Sequence, residues 1–106
     1  MKLRIVKKES VVWPVTVNIP VDGGKVEEAS FFVRFKRLSE TEFDKLAKEG
    51  QTSLLDAAIL GAGETEGDIE EVTTADKKAL LSDTNYRVGL YNAYLKMDAG
   101  VAEKNS

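Results

Sequence analysis

The chain has 106 residues, 42% of them hydrophobic and 31% charged, with a net charge of -3; this is the size of one globular domain with a core of modest volume. The acidic balance argues against a nucleic-acid binder, whose phosphate affinity comes from clustered Lys and Arg, and no apolar run approaches the roughly 18 residues of a membrane span. With no Cys and no His, disulfides, thiolate chemistry, most zinc sites and the usual general base near neutral pH are all missing, so no cofactor-dependent or other enzymatic activity is expected. The basic, then apolar start MKLRIVKKES is too short and too interrupted for a signal peptide and is read as a strand of an intracellular protein.

Leu3 and Ile5 alternate with Lys2 and Arg4, the two-residue period of a short first strand. A longer second strand places Val11, Trp13, Val15, Val17 and Ile19 on one face. Pro14 within it lacks an N–H, which puts this strand at a sheet edge or gives it a bulge. Asp22, Gly23 and Gly24 supply the positive φ angles of a hairpin turn, and a third strand follows over about 26–37. There Phe31, Val33 and Phe35 alternate with Phe32, Arg34 and Lys36.

Ser39 stands three residues before Glu42, the spacing of a capping box, with Leu38 and Phe43 at the positions of a hydrophobic staple. The helix so started runs over about 40–49, buries Phe43, Leu46 and Ala47, and stops at Gly50. Ser53 with Asp56 starts a second, short helix carrying Leu54, Leu55, Ala58 and Ile59 on one face, and Gly61 and Gly63 end it. Residues 61–71, glycine-rich and acidic, read as a mobile surface loop. Thr73 with Asp76 repeats the capping pattern ahead of Leu80 and Leu81.

Asp83 caps the last helix, which carries Tyr86, Leu90, Ala93, Tyr94 and Met97 on one stripe. A second stripe, Val88, Tyr91 and Leu95, projects elsewhere at ~100° per residue. Either the first two helices cover it within the monomer, or it meets another subunit or a client. Residues 101–106 read as a flexible tail on a single domain spanning 1–100. The fold class expected is α+β: a small antiparallel sheet, an N-terminal β-hairpin of two to three strands, covered by about four helices.

Motifs that carry chemistry are weak. Residues 61–67, GAGETEG, lack the Gly-Lys-Ser/Thr ending of a phosphate loop, and their glutamates repel phosphate. Glu64, Glu66, Asp68 and Glu70 alternate without the spacing of a calcium loop. Lys2, Arg4, Lys7, Lys8, Arg34, Lys36 and Arg37 fall in the strand region, opposite in sign to the acidic loop. This asymmetry fits either solvated faces or head-to-tail attraction between subunits.

The succession FFVRFKRLSETEF, a helix, a variable loop, a short Leu80-Leu81 helix, Asp83 and then YRVGLYNAYL resembles the tail assembly chaperones of long-tailed, siphovirus-type bacteriophages across residues 12–95. One departure lies in the middle: Leu60, Gly61, Ala62 and Gly63 stand where that family is expected to carry a Gly-Trp pair and a proline turn. The resemblance implies a non-enzymatic protein of the host cell cytoplasm, absent from the mature virion. It would self-associate as a homo-oligomer and hold the tape measure protein in solution while tail tube protein is recruited.

Such chaperones are commonly made in a short form and a frameshift-extended one. Glu103, Lys104 and Asn105 can be encoded by GAA AAA AAC, which contains a slippery heptamer. Candidate protein-binding residues are Val88, Tyr91 and Leu95, with Trp13 and Pro14 on the hairpin edge. The alternative is a structural virion component or adaptor that stays in the particle, its hairpin adding to a neighbour's sheet.

Overall fold

The computed structural model describes residues 3–102, and the Glu103, Lys104 and Asn105 triplet lies outside the described residues. Its elements in chain order are β1 (Ser10–Val21), β2 (Lys25–Lys36), α1 (Glu40–Glu49), α2 (Gln51–Ala58), β3 (Ile59–Gly63), β4 (Glu70–Glu71), α3 (Thr74–Ser82) and α4 (Thr84–Ala99). The class is α+β as expected. The sheet, however, has four antiparallel strands in the order β1-β2-β3-β4, rather than two or three.

β1 and β2 form a long hairpin in unbroken register, from Ser10 opposite Lys36 to Val21 opposite Lys25. The turn between them holds Gly23 and Gly24 at φ of 87° and 74°, angles that cost glycine little because it has no Cβ. Strand geometry sends alternate side chains to opposite faces. Val15, Val17, Val33 and Phe35 are accordingly buried beneath the helices, while Val12, Pro14, Phe32 and Arg34 occupy the face that no helix covers. Glu9 O accepts from Arg37 N at 2.9 Å. In an antiparallel pair that bond makes the odd-numbered residues of β1 the hydrogen-bonded positions and turns the even-numbered N–H groups outward.

Pro14 and Pro20 both fall on outward positions of β1, which is indeed an edge strand. Neither removes a ladder hydrogen bond. No strand forms at Leu3 and Ile5; residues 3–8 carry the alternation without a strand partner among the described residues.

The strand-to-helix corner forms as its signals require. Ser39 Oγ accepts from Glu42 N and Glu42 Oε1 accepts from Ser39 N, both at 3.2 Å. Tyr94, fully buried on α4, accepts from Leu38 N through its hydroxyl at 3.1 Å. Its ring meets Phe35 edge-on at 5.5 Å and stacks on Phe43 at 6.2 Å. One side chain therefore ties the end of β2, the start of α1 and the middle of α4 together.

The second helix departs from expectation at both ends. It starts from Gly50, not Ser53, and its last helical residue is Ala58, so that Ile59 opens β3 instead of continuing the helix. Gly61 and Gly63 are not helix terminators; they lie in β3, where the missing Cβ lets the segment 68–71 come close. A Cβ at Gly61 would lie 2.7 Å from Glu70 O, and one at Gly63 would collide with the carbonyl oxygen of Asp68. A bulge at Leu60, where Arg34 faces Gly61 and Phe35 faces Ile59, turns Leu60 out to solvent. The region read as one loop is thus a β3–β4 hairpin, with only the connection between the strands irregular.

Thr73 and Asp83 cap α3 and α4 as their spacing predicts. Arg87 joins the helices by donating from Nε to Gln51 Oε1 and from Nη1 to Leu81 O, each at 3.3 Å. Lys77 Nζ reaches Asp56 O at 2.9 Å near the end of α2.

Candidate protein-binding surfaces

On α4 the expected burial stripe holds: Leu90, Ala93, Tyr94 and Met97 are buried and Tyr86 partly so. The second stripe divides. Val88 is 39% and Leu95 38% exposed. Tyr91 between them is only partly exposed and packs against the core. Val88 and Leu95 are seven residues apart, about two helical turns or ~10 Å along the axis. They form one apolar line on the solvent side of α4.

Beside that line, α4 seats closely on the edge of the sheet. A Cβ at Gly89 would stand 2.9 Å from Val17 Cγ2 and 3.1 Å from Thr16 O, so glycine sets how near the helix comes to β1. The contact leaves a cleft of about 370 Å³ lined by Thr16, Asn18, Asn85, Val88, Asn92 and Lys96. The three asparagines present amide groups, each both donor and acceptor, and Val88 is the large apolar side chain on the wall.

Trp13 and Pro14 do not share a surface. As neighbours on one strand they project to opposite faces; Trp13 packs partly against the core, whereas Pro14 sits on the open face opposite Phe32. There Val12, Pro14 and Phe32, all partly exposed, form an apolar strip beside Arg34, whose Nη1 donates to Ser10 Oγ at 3.1 Å. Of this strip the sequence reading names only Pro14, although the signal for Val12 and Phe32 is present as well. Val11-Val12-Trp13 and Phe31-Phe32-Val33 are apolar at consecutive positions, so period-two alternation leaves one apolar residue of each run on the outer face.

The acidic side chains of residues 64–71 are exposed, with Thr65 Oγ1 donating to Asp68 Oδ2 at 2.7 Å. Among the described residues no three carboxylates converge closely enough to hold a metal ion, and no helix is long and apolar enough to cross a membrane. Among the described residues two ionisable groups are perturbed. Hydrogen bonds from the Ser39 backbone and then its hydroxyl, aided by the charge of Lys36, hold the Glu42 carboxyl below the usual range. Burial pushes the Tyr94 phenol up, against the lowering effect of the Leu38 N–H. Both belong to the corner that joins sheet and helices.

Comparison with known proteins finds no matching family, no matching curated relative and no matching solved structure.

Proposed function

We propose that this chain is a non-enzymatic assembly chaperone for the tail of a long-tailed bacteriophage, acting in the host cytoplasm and leaving before the particle is complete. It self-associates and keeps the tape measure protein in solution, with tail tube protein recruited through a frameshift-extended form. The observation that carries this reading is the pair Val88 and Leu95: two large apolar side chains left partly exposed on a helix whose opposite face is used up by the core.

At about 25 cal/mol per Å² of apolar surface, two half-exposed side chains give a weak contact. Repetition along a long helical client converts weak contacts into retention through avidity. The reading rests further on the sequence resemblance across residues 12–95; within that stretch Ser39, Asp83 and Tyr94 cap or close junctions of this fold.

The test is co-expression with the tape measure protein, scoring the fraction of it that stays soluble. Val88→Asp with Leu95→Asp changes exposed positions only and is expected to lower that fraction several-fold while circular dichroism stays unchanged. Full solubilisation by the double variant would remove this line as the client site. Tyr91 is unsuited to the test because it also packs the core. Reading the coding DNA across Glu103, Lys104 and Asn105 for a slippery heptamer and an open minus-one frame tests the extended form independently.

The adaptor reading requires the hairpin to join a neighbour's sheet. Along β1, Pro14 and Pro20 remove outward donors where such a strand would bind. Presence of the chain in purified particles would nevertheless decide for the adaptor.

A further inference from the structure

Residues 3–8, LRIVKK, leave three large apolar side chains in water: Leu3 is 81%, Ile5 69% and Val6 72% exposed. They lead through Glu9 into β1, and pair with no strand among the described residues. Arg4, Lys7 and Lys8 make the segment strongly basic. Its alternation and its missing partner are one unsolved problem within the monomer.

Elsewhere the sheet offers an edge of the opposite character. Since the odd-numbered residues of β2 exchange hydrogen bonds with β1, Val26, Glu28 and Ser30 direct N–H and C=O the other way. β3 pairs with β2 only at residues 32–35. Beyond Phe32 no strand among the described residues meets that edge, and it contains no proline. Glu27 and Glu28 lie on it, against the single cation Lys25, and Glu64 and Glu66 follow Gly63, the residue paired with Phe32. Val26, largely exposed, adds an apolar side chain.

The other edges are closed. β1 carries Pro14 and Pro20 at its outward positions and α4 against Thr16, and β4 is two residues long.

We propose that residues 3–8 of one copy add as a strand to residues 26–30 of β2 in a second copy. The same contact cannot form within one chain. Seven register steps separate Arg37, opposite Glu9, from Ser30, which is about 23 Å at ~3.3 Å per residue, and six fully extended residues reach at most ~22 Å, before the width of β2 is crossed. The added strand satisfies the free N–H and C=O groups of β2, covers Leu3 or Ile5, and sets Arg4, Lys7 and Lys8 among Glu27, Glu28, Glu64 and Glu66. The proposal rests on the self-association named above and supplies its contact.

Sedimentation velocity on the full chain tests it. The wild type is expected to self-associate, at least tenfold more weakly in 0.5 M than in 0.05 M salt, as screening of paired charges requires. Glu28→Pro removes an outward N–H without touching the β1 ladder, and Ile5→Asp spoils the donated strand; each alone is expected to be monomeric. Mixed, the two variants are expected to form a one-to-one complex, because the first retains an intact segment and the second an intact edge. Glu28→Lys replaces Glu28→Pro if the latter fails to fold by circular dichroism. A wild type that stays monomeric, variants that associate like the wild type, or a mixture that gives no complex would each overturn the proposal. If association is lost while the tape measure protein is still held in solution, the contact is separate from chaperone action; if solubilisation fails for the wild type itself, the functional reading fails and the contact stands on its own.

Discussion

Replacing Tyr94 by Phe isolates one oxygen atom at the junction of sheet and helices. The ring contacts to Phe35 and Phe43 survive, and only the bond from Leu38 N at 3.1 Å is lost. Leu38 is itself buried, so its N–H is left without a partner away from water, which costs about 1–3 kcal/mol. The expected result in urea is a lower midpoint at unchanged slope, with faster hydrogen exchange at the Leu38 amide.

The pH dependence separates this from a generic packing defect. Burial raises the Tyr94 phenol above its ordinary 10.0, so near that pH the unfolded chain ionises while the folded chain keeps its proton. Stability from this group is therefore intact below pH 10 and falls as pH rises through and beyond it. Tyr94→Phe should remove that alkaline decline. A Phe variant within about 0.5 kcal/mol of wild type, the scatter of surface substitutions, with the decline still present, would refute the assignment.

Gly89→Ala sets two effects against each other: helix propensity gains about 0.5–1 kcal/mol, while crowding Val17 and the Thr16 carbonyl costs about 1–3 kcal/mol. A lower thermal midpoint is expected, and a higher one would mean that α4 can lift off β1 freely. Gly63→Ala, which meets the Asp68 backbone, should destabilise far more than Gly67→Ala, where nothing lies within 4 Å; equal denaturation midpoints would contradict the close approach of β4. Ser39→Ala should cost about 1 kcal/mol through the lost cap. Because the Glu42 carboxyl is held below 4.5, its contribution is present above that pH and lost as pH falls through the folded value. The stability gap between wild type and Glu42→Gln should accordingly close in acid, as read from urea midpoints across pH.

Local signals were legible wherever one residue type does one job. The Ser39–Glu42 box, Thr73 and Asp83 at helix starts, Gly23 and Gly24 in the turn, and the core stripe of α4 all follow from geometry within a few residues. What escaped depends on partners distant in sequence. Gly61 and Gly63 terminate a helix when read locally, yet here they admit a neighbouring strand, and only the fold reveals that Glu70 and Asp68 lie against them. Leu3 and Ile5 alternate like a strand, but alternation cannot say whether an edge is available. Tyr91 falls on a helical stripe with Val88 and Leu95 by spacing, and the packing of α2 and α3 beside α4 divides that stripe.

The treatment of the sheet's edges is the structural reason to expect directional assembly. An unprotected edge invites indiscriminate pairing, and natural sheets blunt it with proline, covering helices or short strands. All three devices occur here, at Pro14 and Pro20, at Gly89 of α4 over Thr16, and at the two residues of β4. Against that background, residues 26–30 of β2 stand out as a stretch that has none of them, acidic where residues 3–8 are basic. Roughly 40 Å of hairpin at ~3.3 Å per residue outruns the ~24 Å of α4 at ~1.5 Å per residue, so the distal arm carries this edge beyond the helical layer. The donated segment and the receiving edge are different surfaces of one molecule, so unless two copies exchange segments reciprocally the contact leaves one of each unused and can propagate.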